Sequence, residues 1–168
     1  LLFSSNSGTL YVRRENGILY LNFPADSLAR VDPPEVLVNA LGISPQETYK
    51  GRDDYLAVLD NQEDILSVNP DMSLMFNVSS RGVIVSSRGK EVDFVSRFFA
   101  PRAGVPEDPV TGSAHTSLVP YWSSILSKNE LSARQLSNRG GELTCRDLDE
   151  RVEIGGAAVT YLSGKIFV

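Results

Sequence analysis

The 168-residue sequence holds one cysteine, one histidine and one tryptophan. A lone cysteine, Cys145, excludes an internal disulfide framework and fits a reducing, cytoplasmic setting. With one His and one Cys, a metal site would have to draw most of its ligands from carboxylates, so no metal is expected. No window approaches the run of about 18 apolar residues that crosses a bilayer as a helix, and no membrane partner is expected. Basic residues are in deficit too: 16 Lys and Arg stand against 21 Asp and Glu, a net charge of −5. They are scattered singly or in pairs such as Arg13-Arg14, which excludes the basic footprint that nucleic acid requires. An initiator Met and a charged leader are also missing. The chain opens on Leu1-Leu2-Phe3, which reads as the middle of an element, so a piece of a longer protein is expected.

What is present is sufficient for one core: 42% hydrophobic and 22% charged residues are ordinary globular proportions at this length. Residues 9–14 and 18–23 alternate apolar and polar side chains about Glu15-Asn16-Gly17, and the Asn-Gly pair predicts a hairpin. Pro24 ends its second strand, and residues 24–31 read as a linker. Asp32-Pro33-Pro34-Glu35 predicts a capped helix start, with Val36, Leu37, Ala40 and Leu41 as the apolar face and Gly42 as the stop. A strand over 55–59, a short helix over 61–66 and a turn or helix over 69–75 follow. Strands over 82–87 and 92–99 are joined by Ser87-Arg88-Gly89-Lys90. A helix is predicted from about Thr111 to Leu126, with Ala114, Leu118, Trp122 and Ile125 on one stripe and Pro120 implying a kink or boundary. The rest is β in character over 133–137, 142–146, 151–154 and 159–168. Connections too short for βαβ crossovers throughout make the fold class α+β and mostly antiparallel.

Chemistry concentrates between Phe98 and His115. An aromatic β run ends in a Pro- and Gly-punctuated turn, which leads through Glu107-Asp108-Pro109-Val110 and Thr111-Gly112-Ser113 into the long helix. Backbone N–H groups at a helix start are unpaired and electropositive, so small residues there suit a substrate carboxylate or phosphate. Asp108 is placed to handle a proton, yet Asp-Pro before a helix is equally a cap-and-turn arrangement. Thr111, Gly112 and Ser113 read either as an anion cradle or as an N-cap with a closely packed glycine. His115 either orients a substrate or packs beside Leu118 and Val119. Glu107 should point away from its neighbour Asp108, so a working carboxylate pair is not expected. No lysine follows the glycine, which excludes a P-loop. Ser113 and His115 diverge by roughly 200° on a helix, which excludes a Ser-His-Asp triad. Cys145, in a β segment, reads as a buried small residue rather than a nucleophile.

Arg97-Phe98-Phe99-Ala100-Pro101, Gly104 and Glu107-Asp108-Pro109-Val110-Thr111-Gly112-Ser113-Ala114-His115 together resemble the signature of the phenazine-biosynthesis-like (PhzF-type) isomerase family. Arg139-Gly140-Gly141-Glu142 and Val152-Glu153-Ile154-Gly155-Gly156-Ala157-Ala158-Val159 are similar to its C-terminal β region, and the wording is nearest to its animal members. The resemblance implies a diaminopimelate epimerase-like fold: two similar domains, each a β-barrel-like sheet around a central helix, with the active site in the cleft between them. Residues 1–25 then finish a first domain, and 26–168 form the second around the helix at about 111–126. It implies cofactor-free proton transfer on a small carboxylate-bearing substrate, and homodimers. Asp108 and Ser113 match positions that line the active site, and Gly112 with Ser113 matches the helix start that receives the carboxylate; Asp108 is expected to be catalytic, and Thr111, Gly112 and Ser113 to bind the substrate. The family's main proton-shuttling glutamate and its Cys-Gly-His-type helix start lie in the first domain and have no counterpart in residues 1–168, so half an active site is expected. Cys145 lies outside the motif, which excludes the two-thiol epimerase variant. The acidic surface is open to a protein partner, and a non-catalytic binding or scaffold protein on the same fold is the alternative.

Overall fold

Both faces of residues 82–99 are apolar, and the architecture follows from burying each against a different set of helices. The computed structural model describes residues 1–5 and 8–165. Among them one sheet is built from β1 (Leu2–Ser5), β2 (Gly8–Glu15), β3 (Ile18–Pro24), β4 (Ala29–Arg30), β5 (Glu47–Lys50) and β6 (Asp54–Val58). It continues through β7 (Gly82–Arg88), β8 (Phe94–Phe99), β9 (Glu130–Gln135), β10 (Gly141–Asp147) and β11 (Arg151–Ala157). The strand order is β1-β2-β3-β11-β10-β9-β8-β7-β6-β5-β4. Helices α1 (Glu35–Leu41), α2 (Gln62–Ser67), α3 (Met72–Phe76) and α4 (His115–Leu126) pack on it. Ile84, Phe94 and Phe98 bury with α4, whereas Val83, Val85, Val95 and Phe99 bury on the opposite face with α1, α2 and α3. That split is the two-residue period of a strand with two apolar faces.

The fold is α+β with a mixed sheet. Pairing is antiparallel except at β6–β7 and β8–β9, which are parallel. Parallel neighbours need crossovers of about a dozen residues or more. Helices α2 and α3 fill the first, and α4 fills the second, so two βαβ crossovers interrupt a sheet that is otherwise antiparallel, as expected. The predicted hairpin forms: Glu15 pairs with Ile18, and Asn16 and Gly17 both take positive φ, at 49° and 83°, as a tight two-residue turn requires. Strand β3 then pairs with β11 from Pro24↔Arg151 to Ile18↔Ala157, continuing the sheet.

Helix α4 sits within the curl of this sheet. Ala114, Leu118, Val119 and Trp122 share a core with Leu131, Leu143, Cys145, Val152 and Ile154. On its other flank Tyr121 meets Tyr49 edge-on, with ring centroids 5.3 Å apart, and both hydroxyls donate to the Glu47 carboxylate at 3.0 and 2.9 Å. The Trp122 indole N–H donates to Ser86 Oγ at 2.9 Å, and Ser86 in turn donates to the Val95 carbonyl at 2.7 Å. Pro120 neither ends α4 nor splits it. Lacking an N–H, it leaves the Thr116 carbonyl free, and the Asp26 N–H donates there at 3.1 Å. Residues 24–31 are accordingly not slack: the Ala25 N–H also bonds Glu150 O and the Val31 N–H bonds Thr48 O, both at 2.9 Å.

Boundaries differ from expectation in identifiable ways. α4 begins at His115 rather than Thr111, because residues 112–114 form a turn and Ala114 is the N-cap. Pro34, not Asp32, precedes α1 as its N-cap, although Gly42 ends it in the left-handed conformation as expected. Residues 158–165 form no strand, and residues 166–168 lie outside the described part. Val159 and Tyr161 are 93% and 99% exposed, so no burial rewards their apolar pattern. Among the described residues no helix is long and apolar enough to cross a membrane.

Replacing Ser86 by Ala strands a buried indole N–H, and should lower unfolding free energy by about 1–3 kcal/mol in urea melts. In a Trp122→Phe background the same change should cost much less. Equal costs in the two backgrounds would contradict the coupling.

Candidate active site

The motif is a loop that leaves β8 and is pinned at each step before it enters α4. Ala100 and Val105 exchange backbone hydrogen bonds at 3.1 and 3.2 Å around Pro101, Arg102 and Ala103. Gly104 takes φ 79°, the left-handed value that closes so short a loop. The Arg97 guanidinium grips the Glu107 carboxylate through Nε at 2.7 Å and Nη2 at 3.0 Å. Its Nη1 donates to the carbonyls of Val68 and Ile65 at 2.6 and 3.1 Å. Glu107 is thereby committed to Arg97, while Asp108 donates its N–H to the Phe98 carbonyl at 3.0 Å and faces a different set of groups.

Those groups converge on Gln135 at the end of β9, a side chain only 1% exposed. Its Oε1 accepts the Thr111 N–H at 2.8 Å, which fixes the amide orientation. Its Nε2 donates to the Asp108 carbonyl at 2.6 Å and to Thr111 Oγ1 at 3.1 Å. Thr111 Oγ1 accepts from the amide, so its single proton is available to Asp108 Oδ2, 2.7 Å away. The carboxylate of Asp108 is thus received by a hydroxyl whose own orientation is set from the core. Val110 lies so close to Gly141 of β10 that a side chain there would collide with it, which seats the loop on the sheet.

His115 closes the same turn from inside. It is fully buried, and its Nδ1 lies 2.8 Å from the Thr111 carbonyl. A carbonyl only accepts, so Nδ1 carries the proton and Nε2 is bare; Nε2 has no hydrogen-bond partner. The ring lies beside Phe94, centroid to centroid 5.9 Å. Burial pushes its pKa down to about 4, against the modest opposing pull of the Thr111 carbonyl. Cys145 is buried as well, and burial raises its thiol to about 12, so it stays protonated at neutral pH.

Ser113 faces the other way. With Thr116, Phe23, Pro24, Arg52, Asp53 and Arg81 it borders a cleft of about 260 Å³. Among the described residues the N–H groups of Gly112 and Ser113 and the Ser113 hydroxyl have no hydrogen-bond acceptor. Across the cleft Arg81 is locked to Asp54, itself 4% exposed, through Nε at 3.0 Å and a second contact from Nη2 to Oδ2. This pairing raises the Arg81 guanidinium above its usual range. Asp26 lines a smaller adjoining pocket with Arg52 and Ser113, accepting the Ser117 hydroxyl at 2.9 Å and the Arg52 N–H at 3.2 Å. The structure therefore joins Asp108, Thr111 and His115 in one hydrogen-bonded turn and gives Ser113 to the adjoining cleft. Gly112 packs near Leu21 and Phe23.

Sequence reasoning missed Gln135, Arg52, Asp54 and Arg81. Gln135 carries no local signal, since it reaches the motif only through the parallel β8–β9 pairing. Arg52, Asp54 and Arg81 lie at strand starts or in the turns before them, where charged side chains are common whether or not they work. Among the described residues no group of three or more His, Cys, Asp or Glu side chains is arranged to hold a metal ion.

His115 makes stability depend on pH with a defined sign. The folded chain keeps it neutral down to about pH 4, while the unfolded chain takes up a proton near its ordinary value of 6.5. Its contribution is therefore complete above pH 6.5 and is lost as the pH falls towards 4. The slope should approach about 1.4 kcal/mol per pH unit, on the order of 3 kcal/mol in all. Urea melts across that window should show this loss, and His115→Gln should remove it; an unchanged slope in the variant would refute the assignment.

Known proteins share this sequence and fold. Residues 25–164 match the family described as phenazine biosynthesis-like protein. A Pseudomonas aeruginosa protein named an uncharacterized isomerase is 49% identical over 166 residues, covering 99% of this chain and 64% of its own length. The phenazine biosynthesis-like domain-containing protein of Bos taurus is 36% identical over 186 residues, covering 99% of this chain and 65% of its own length. The bacterial protein shares more of the sequence than the animal one. A crystal structure of a PhzF-family phenazine biosynthesis protein from Enterococcus faecalis matches with a TM-score of 0.90 at 41% identity, over 100% of this chain and 65% of that one. The chain thus spans 64% of the length of the first of these relatives. With its fold, its motif and residues 25–164 all matched, the chain belongs to the phenazine biosynthesis-like (PhzF) family, several of whose bacterial members are named isomerases.

Proposed function

We propose that this chain is the carboxylate-receiving wall of a cofactor-independent isomerase that moves a proton on a small carboxylate-bearing substrate. The observation that carries the reading is the pair of free N–H groups at Gly112 and Ser113 and the free hydroxyl of Ser113, a residue that borders the cleft and follows closely on Asp108. In this reading a substrate carboxylate sits on those donors ahead of α4, where the helix dipole favours negative charge. Withdrawing a proton next to such a group builds negative charge towards the same donors, which therefore bind the transition state more strongly than the ground state. Asp108 is the acid/base, with Thr111 steering its carboxylate and Gln135 steering Thr111. His115 holds the turn in place from the core.

Proton shuttling between two positions needs a second acid/base. In this proposal it comes from the remaining third of the relatives' length, placed opposite Asp108 as in a diaminopimelate epimerase-like pair of domains. A protein that carries this sequence together with that remaining third should incorporate solvent deuterium at carbon when incubated in heavy water with a panel of small carboxylic acids. Asp108→Asn should slow incorporation by roughly 10²–10⁴-fold. Ser113→Ala should slow it by roughly 10²-fold. The 168-residue chain alone should incorporate none. Deuterium in no acid with the longer protein would leave only the alternative, a binding or scaffold protein on the same fold. Incorporation by the 168-residue chain alone would overturn the half-site reading.

A further inference from the structure

We infer that the cleft takes a substrate with a second anionic group, a carboxylate or a phosphate, and that Arg52 recognises it. The inference rests on the reading of Gly112 and Ser113 as the receiver of the first carboxylate. The two arginines at the cleft are not equivalent. Arg81 spends its guanidinium on Asp54. The Arg52 side chain has no hydrogen bond, ion pair or ring contact among the described residues.

Arg52 is nevertheless held in place by its backbone. Its N–H donates to the Asp26 carboxylate, which also takes the Ser117 hydroxyl from the first turn of α4. The Asp26 N–H in turn holds the Thr116 carbonyl. Gly51 precedes it because any Cβ there would collide with the Asp26 carboxylate. An uncommitted guanidinium is thus carried on a backbone clamped to the helix turn that carries Ser113.

Arg52 also links two spaces. One is the cleft beside Ser113; the other is a wider depression of about 560 Å³ that includes Lys50, Ser79, Ser80 and Arg102. The positive charges there have neutral company: Lys50 Nζ lies 4.6 Å from the Tyr55 ring centroid, and Arg102 donates to the Val78 carbonyl at 3.3 Å. With Arg81 balanced by Asp54, Asp53 and Asp26 oppose Lys50, Arg52 and Arg102, an excess of one positive charge in a chain of net −5. A free guanidinium fork binds carboxylate or phosphate through paired N–H donors. A substrate that carries a second anionic group beside the carboxylate at Gly112 and Ser113 can use that fork.

The test is an NMR titration of the ¹⁵N-labelled 168-residue chain with butanoate, succinate and 3-phosphonopropanoate, following the Gly112 and Ser113 amides. At least one dianion should bind about tenfold or more tightly than butanoate. Preference for succinate marks a second carboxylate, and preference for the phosphonate marks a phosphate. Arg52→Gln should erase the margin while leaving butanoate affinity within about twofold. Equal affinities in the unmodified chain, or a margin that survives Arg52→Gln, overturns the inference and leaves the reading of Gly112 and Ser113 intact. Amides unmoved by all three ligands overturn both.

Discussion

Helix α4 lies inside the curl of the sheet, and each polar group it carries there has to find a partner away from water. That constraint reaches most of the molecule. Trp122 is answered by Ser86 of β7, and Tyr121 by Glu47 of β5. The carbonyl that Pro120 leaves unpaired is answered by Asp26, just past β3. Each answer ties a different strand or connection to one helix, so the helix fixes the curvature of the sheet as much as the sheet encloses the helix. Hydrophobic packing of Leu118 and Val119 supplies the bulk of the driving force, but the polar partners select this arrangement over other ways of covering the same apolar stripe.

The candidate site is a by-product of the same accounting at the start of α4. On the core side of residues 108–115, His115 Nε2 apart, donors and acceptors are paired through Gln135, Thr111 and His115. Donors on the cleft side, at Gly112 and Ser113, are left over. A turn rigid on one side and unsatisfied on the other is suited to receiving a charged ligand without reorganising, and reorganisation is what weakens binding in water. His115 shows how far the rigidity goes: its Nε2 is buried with no partner, an expense set against a firm hold on the Thr111 carbonyl.

Local patterns reveal part of this and miss part of it for reasons that differ residue by residue. Asn16-Gly17 announces its hairpin because only a few residue types tolerate two successive positive φ values. Gly42 announces the end of α1 for the same reason. The small residues at 112 and 113 announce a helix start, yet the helix begins later, because residues 112–114 form a turn whose geometry depends on Thr111 being held by Gln135 and His115. The apolar pattern at 159–162 suggests a strand, but side chains that remain exposed gain nothing from alternation. Strands β1, β4 and β5 are short or polar and exist through their neighbours, which no window of sequence contains.

The sequence by itself determined the elements whose conformation is decided within a few residues: the hairpin turn, the glycine end of α1, the apolar stripe of α4, and the family motif with Asp108 and Ser113 inside it. The tertiary structure alone decided which distant groups meet. Gln135 reaches Thr111 across the parallel β8–β9 pairing, and Arg52 reaches the cleft because Asp26 clamps its backbone to α4. The physical reason is range. Backbone strain and capping act over one turn of chain, whereas a hydrogen bond or a free charge becomes meaningful only when folding has set its neighbours and removed the water between them.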